Sequence, residues 1–217
     1  MQRLMAEAYR LQLLCGLERL LQADGVSRVA GVDEAGRGSL AGPVVAAAVI
    51  AHSDSLVPGV DDSKRLSAGL REELAVAIRR NTTWAVAVVS ATEIDRSDIL
   101  RATKRAMAKC LAALEPAPDC AVVDAVPLKG LPFPSLPVFR GETLSYAIAC
   151  ASILAKVERD RIMCDLDAEY PQYGFAANKG YGAVEHREAL SRFGPTPIHR
   201  LTFKSVVPRQ ERGMAPQ

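Results

Sequence analysis

No stretch of this 217-residue chain stays apolar long enough to cross a bilayer. Arg3, Glu7, Arg10, Glu18 and Arg19 interrupt residues 1–23, which is not the pattern of a secretion signal. There is no Cys-x-x-Cys pair. The five cysteines, Cys15, Cys110, Cys120, Cys150 and Cys164, sit singly in apolar stretches. An odd set of isolated cysteines fits buried, reduced thiols in a cytoplasmic protein. A large excess of either charge is missing as well. A net charge of +2 does not announce a nucleic-acid binder, so any basic surface must be gathered on one face. Internal repeats, low-complexity segments and a Ser–His–Asp or Cys–His nucleophile set are also missing. What remains is 49% hydrophobic and 24% charged, enough for one substantial core.

The pattern along the chain predicts a mixed sheet covered by helices. Apolar residues from Leu4 to Leu21 recur at helical spacing, giving an amphipathic helix that ends near Gly25. Strands are expected over 28–34 and 44–52, rich in Val, Ala and Ile and so buried on both faces. Ser67 is placed to cap a helix running to Arg79, and a third strand is expected over 83–89. Residues 91–114 read as helix with a break near Ser97. A short strand, 120–124, ends on Asp124. Four prolines between Pro127 and Pro137 argue against a central element there, and 138–140 reads as one more strand. A long helix is expected over 143–170. Its small residues, among them Ser145, Ala147 and Ser152, would let it lie close to a sheet. A last helix covers 185–193.

The chemistry concentrates where the first strand ends, at Gly31-Val32-Asp33-Glu34-Ala35-Gly36-Arg37-Gly38. Adjacent strand side chains point to opposite faces, so Asp33 and Glu34 can share a site only where the strand bends. The glycines make that bend easy. Gly36-x-Gly38-x-x-Ala41 imitates a dinucleotide-binding fingerprint, but Pro43 and Val44-Val45 follow where that motif needs a helix. Asp124 ends another strand, and Glu142 falls at the expected start of the long helix, where the macrodipole favours an anion. Four acids at one sheet edge repel one another unless cations bind, and an all-oxygen set suits Mg²⁺ or Mn²⁺. Arg37, Lys64, Lys179 and the Tyr181 ring would supply phosphate contacts and a stacking face. His199 serves a loop or a substrate equally well. His52 and His186 are read as surface residues, Cys150 and Cys164 as core, and Trp84 as packed.

Five blocks in order resemble the signature of bacterial ribonuclease HII. They are the Gly31–Gly38 run, Asp62-Ser63-Lys64-Arg65-Leu66-Ser67, the segment Ala151 to Arg161, Lys179-Gly180-Tyr181-Gly182 and Pro197-Ile198-His199-Arg200. The resemblance implies an RNase H-like fold, with a mixed five-stranded sheet flanked by helices and a small helical C-terminal part. It divides the chain into an N-terminal helix (1–27), a catalytic domain (28–206) and a flexible tail (207–217). It also implies a monomeric endonuclease without membrane attachment. Such an enzyme cuts RNA in RNA–DNA hybrids and nicks 5′ of single ribonucleotides in duplex DNA, leaving 3′-hydroxyl and 5′-phosphate ends. Asp33, Glu34, Asp124 and Glu142 fall on the acidic ligand positions for two Mn²⁺ or Mg²⁺ ions. Gly36, Arg37 and Gly38 fall on a substrate turn, and Tyr181 on a junction-sensing tyrosine. Three positions depart from the family pattern. Ser39 replaces a frequent proline, Ala125 a usual glycine, and Glu142 a usual aspartate. Two other classes fit parts of the pattern: a 3′–5′ exonuclease on the same sheet, and a hybrid-binding protein without catalysis.

Overall fold

A computed structural model describes residues 1–52 and 54–206, so the expected tail lies outside the described residues. The chain opens with α1 (Gln2–Leu14) and α2 (Gly16–Ala23), two helices where one was expected, because the helix is interrupted at Cys15. Strand β1 (Val29–Ala35) pairs antiparallel with β2 (Val44–Ala51), which pairs antiparallel with β3 (Thr82–Val89). Strand β4 (Cys120–Asp124) lies parallel to β1 on its other side, and β5 (Ser135–Val138) lies parallel to β4. The order is therefore β3-β2-β1-β4-β5. The fifth strand starts earlier than its sequence suggests and contains Pro137. It is tolerated because β5 is an edge.

Helix α3 (Ala68–Asn81) starts at Ser67, whose hydroxyl accepts from Leu70 N at 3.3 Å. Asp98 separates the short α4 (Ala91–Asp95) from α5 (Ile99–Ala112) by accepting from Arg101 N at 2.8 Å. The sheet is sandwiched. Ala30, Val32, Ala46 and Ala48 meet Ala106, Met107 and Leu111 of α5 on one face. On the other, Ala47 and Val49 meet Ile78 of α3 and Ile153 and Leu154 of α6 (Tyr146–Glu169). Gly31 lets α6 press onto β1, since a Cβ there would lie 2.2 Å from the Ala147 carbonyl carbon. Glu18 of α2 completes the start of α6: its Oε1 accepts from Ser145 Oγ at 2.6 Å and Ala147 N at 2.9 Å.

Beyond α6, the turn Pro171–Tyr173, α7 (Phe175–Asn178) and α8 (Val184–Phe193) form the small helical part. Tyr173, Phe175, Ala189 and Leu190 pack with Leu40 and Met163, tying it to the sheet domain. Among the described residues no helix is long and apolar enough to cross a membrane.

Some side chains lie elsewhere than expected. His186 is fully buried, with its Nε2 3.0 Å from Nε2 of the equally buried His199. His199 Nδ1 also lies 2.8 Å from Thr196 Oγ1, which fits the loop-holding alternative. Cys164 is exposed on α6, while the other four cysteines are buried. Trp84 sits on the edge strand, part exposed, with its indole N–H donating to Arg79 O at 3.1 Å.

Candidate active site

Val32 of β1 is in register with Val123 of β4, so the next residues, Asp33 and Asp124, leave two adjacent parallel strands side by side. Asp33 is buried and its backbone-facing Oδ1 accepts from Glu34 N at 2.7 Å. Burial first, then the charges of Glu34 and Asp124, hold the Asp33 carboxyl well above the usual range. A hydrogen bond from Ser152 of α6 acts in the opposite direction. The Ser152 and Ser63 hydroxyls lie 2.7 Å apart and link this helix to the Ser63–Arg65 turn. Asp124 Oδ1 accepts from Gly141 N at 2.8 Å.

Glu34 uses one oxygen for Arg37, at 3.1 Å, while its Oε2 is buried without a partner. Burial is the largest influence raising its pKa. Arg37 and Lys64 work against it, and Asp124 adds to it. Lys64 experiences the whole cluster. Burial disfavours its charge, but Asp62, Glu142, Asp33 and Asp124 together hold its pKa above the ordinary value. Glu142 does not sit on α6. That helix begins at Tyr146, capped by Ser145, and Glu142 occupies the preceding one-turn segment Gly141–Thr143. Among the described residues, no three His, Cys, Asp or Glu side chains stand together as a closed metal shell. The donors nevertheless suit a hard divalent cation. They are all oxygen, the charge of Asp124 raises the pKa of both Asp33 and Glu34, and one buried carboxylate oxygen has no partner.

The turn after β1 rests on two arginines. Gly36 has φ +94°, and a Cβ there would lie 2.0 Å from Arg159 Nε, so only glycine fits above this side chain. Arg159 Nε and Nη2 donate to Pro43 O (3.0 Å) and Ala41 O (3.2 Å). Arg200 donates to the carbonyls of Arg37, Gly42 and Pro43 at 2.9, 3.0 and 3.0 Å. Both guanidiniums are fully buried. Burial, then Arg159, push Arg200 down to about 9. Above Gly38 a Cβ would meet open space.

Tyr181 lies over Arg159, with its ring centre 5.4 Å from the guanidinium carbon. Leu40 N donates to Gly180 O at 2.8 Å, which fixes the tyrosine turn against the glycine turn. The Lys179 ammonium lies 3.1 Å from Cys164 Sγ and donates to the Ala176 carbonyl. Position 125 keeps the geometry of a glycine. Ala125 has φ +49°, and Val126 N donates to Asp124 O across it.

Reading of the sequence missed Ser63, Ser152, Arg159, Arg200 and Gly141 as parts of the site. Four of the five lie in blocks carrying the ribonuclease HII resemblance, which was the available signal. The model of the family described as Ribonuclease HII matches residues 30–206. The chain is 49% identical over 198 residues to the ribonuclease HII of Ruminiclostridium cellulolyticum, covering 91% of this chain and 78% of that one. Its fold resembles that of ribonuclease H2 from Pyrococcus horikoshii, with a TM-score of 0.69 and 27% identity, covering 83% of this chain and 95% of that chain. It also resembles Bst-RNase HIII, solved in complex with Mn²⁺, with a TM-score of 0.68 at 20% identity, covering 82% and 68%. An acid-bearing sheet edge, a glycine turn seated on buried arginines and a matching family model over 30–206 converge, and the chain belongs to the ribonuclease HII family.

Proposed function

We propose that this protein is an endonuclease of the cytoplasm that hydrolyses the RNA strand of RNA–DNA hybrids and nicks 5′ of single ribonucleotides in duplex DNA. The observation that carries this reading is the side-by-side exit of Asp33 and Asp124 from parallel strands, with an unpartnered Glu34 oxygen beside them. Asp33, Glu34, Asp124 and Glu142 would hold Mn²⁺ or Mg²⁺. Two such cations, when bound, supply an activated water and neutralise charge on the leaving oxygen of the phosphodiester.

The chain's own residues do the rest. Lys64 and Arg37 bring positive charge to the substrate phosphates. The open backbone at Gly38 can approach a ribose closely, and a backbone group there reads the 2′-hydroxyl that separates RNA from DNA. Tyr181, 40% exposed and steadied from below by Arg159, stacks on the neighbouring deoxyribose and rejects a hydroxyl there. A monomer suffices for this arrangement, since every residue named comes from one chain.

The test is a covalently closed circular duplex carrying one ribonucleotide, incubated in Mg²⁺ or in Mn²⁺, with the cut mapped. Nicking on the 5′ side of the ribonucleotide, leaving 3′-hydroxyl and 5′-phosphate ends, is expected. An exonuclease leaves the circle intact, and a binding protein retains it without turnover; either result refutes the proposal.

A further inference from the structure

The tip that joins β5 to the Gly141–Thr143 turn has no evident packing role. Phe139 is 81% exposed, the most exposed aromatic ring among the described residues. Arg140 beside it adopts a left-handed backbone, φ +56°, and forms no ion pair among the described residues. A non-glycine residue held in that region carries strain that the surrounding structure must overcome.

The surroundings do so through the acid cluster itself. On one side of the tip, Ala125 N donates to Val138 O at 2.9 Å. On the other, Gly141 N donates to Asp124 Oδ1 at 2.8 Å. Gly141 is buried, and a Cβ there would lie 2.5 Å from Ile148 Cδ1. Thr143 N closes the turn onto Arg140 O at 3.0 Å. The backbone is thus pinned to Asp124, while an aromatic ring and an unpaired cation face solvent.

The sheet order fixes where this pair stands. Val138 is in register with Asp124, so Phe139 is the first residue beyond the strand partner of that acid. Strand β5 lies on one side of the Asp33–Asp124 pair. The Arg37 turn, which links β1 to β2, and Tyr181 above it lie on the other. A strand laid across the carboxylates meets Arg37 and Tyr181 on one flank and Phe139 and Arg140 on the other.

We propose that the Phe139–Arg140 tip is a second nucleic-acid contact, with Arg140 on a backbone phosphate and Phe139 stacked on a sugar or base beyond the acids, on the flank away from Tyr181. An aromatic face beside a cation is the combination that binds nucleotides without reading their sequence. This rests on the nuclease reading above.

The test uses fluorescence anisotropy with a fluorescein-labelled duplex containing one ribonucleotide, together with versions shortened on either flank. Phe139→Ala and Arg140→Gly are each expected to raise Kd about tenfold. Glycine at 140 also keeps the left-handed backbone. Arg140→Gly is expected to lower the salt slope of log Kd by about one, and Phe139→Trp to bind as wild type does. The deficit of both weakened variants should vanish on duplexes shortened on the Phe139 flank and persist on those shortened on the Tyr181 flank. Both side chains face solvent, so melting temperatures should not fall below the wild-type value. If wild-type protein nicks the ribonucleotide duplex while both variants bind it as tightly as wild type, this contact is wrong and the nuclease reading stands. If wild-type protein neither nicks nor binds that duplex, the nuclease reading falls and the contact falls with it.

Discussion

The Arg159 guanidinium sits beneath the Tyr181 ring at 5.4 Å while donating to the carbonyls of Ala41 and Pro43. One buried side chain therefore holds two separate loops, one carrying the glycine turn and one carrying the aromatic. Arg159→Met leaves the buried Ala41 carbonyl without its side-chain donor, while Pro43 O keeps Arg200, and is expected to cost about 1–3 kcal/mol. Urea denaturation measures it. Arg159→Lys keeps the charge but cannot serve both carbonyls and the ring, so its discrimination between one embedded ribonucleotide and a full hybrid should fall below wild type. Unaltered discrimination in the lysine variant would show that Tyr181 is positioned without it.

Asp33 is buried among like charges. Asp33→Asn and Asp124→Asn are expected to lower kcat by on the order of 10³-fold, equivalent to several kcal/mol, while hybrid binding by anisotropy persists. In metal-free buffer Asp33→Asn should melt about 2–6 °C higher than wild type, because a neutral amide avoids the desolvation and repulsion of the carboxylate. A lower melting temperature in chelator would contradict that electrostatic picture.

Ala125 holds a backbone conformation natural to glycine, φ +49°. Relieving it offsets the extra freedom glycine has when unfolded, so Ala125→Gly is expected to gain about 0.5–1 kcal/mol. Ala125→Val, with a branched Cβ in the same conformation, should lose stability. Paired thermal melts decide this, and a destabilised glycine variant would rule it out.

Glutamate at position 142 is one methylene longer than the aspartate that the sequence resemblance leads one to expect there. Glu142→Asp is expected to shift the response towards Mg²⁺ relative to Mn²⁺. Parallel titrations of the two metals against cleavage rate provide the check, and superimposable curves for the two proteins would count against it.

The His186–His199 pair gives a pH dependence with a definite sign. The Nε2 atoms are 3.0 Å apart, leaving room for one proton between them. Burial, then His186, push His199 down to about 4 from an ordinary 6.5. Below pH 6.5 the unfolded chain therefore binds more protons than the folded one. Stability from this group is complete above pH 6.5 and is lost as pH falls through 4, by about 3 kcal/mol in all. Melting curves across that window should fall steeply for wild type and less steeply for His199→Asn.

The parts of this architecture legible in sequence are those with local causes. Strands β1 and β4 are apolar on both faces and carry acids towards their C-terminal ends, so Asp33 and Asp124 could be placed before any coordinates. Ser67 capped the helix it was expected to cap. Other features depend on distant chain. Four residues containing Pro137 make a poor strand alone, and β5 exists because β4 pairs with it. Arg159 has no sequence reading of its own beyond its block, because the carbonyls of Ala41 and Pro43 that draw it inside lie more than a hundred residues earlier. His186 is buried because the ring of Phe175 and the imidazole of His199 close over it. Glu142 could be assigned to α6 only by overlooking Ser145, the better cap three residues later.

The bonds from Glu18 to Ser145 and Ala147 cross the boundary that motif similarity draws. The family match begins at residue 30, but the helix bearing Ser152 and Arg159 takes its first-turn acceptor from upstream of it. A fragment trimmed to the matched span would keep every recognisable block and lose the carboxylate that finishes their central scaffold. The span that the family model recognises and the span that finishes its central helix are, in this protein, of different lengths.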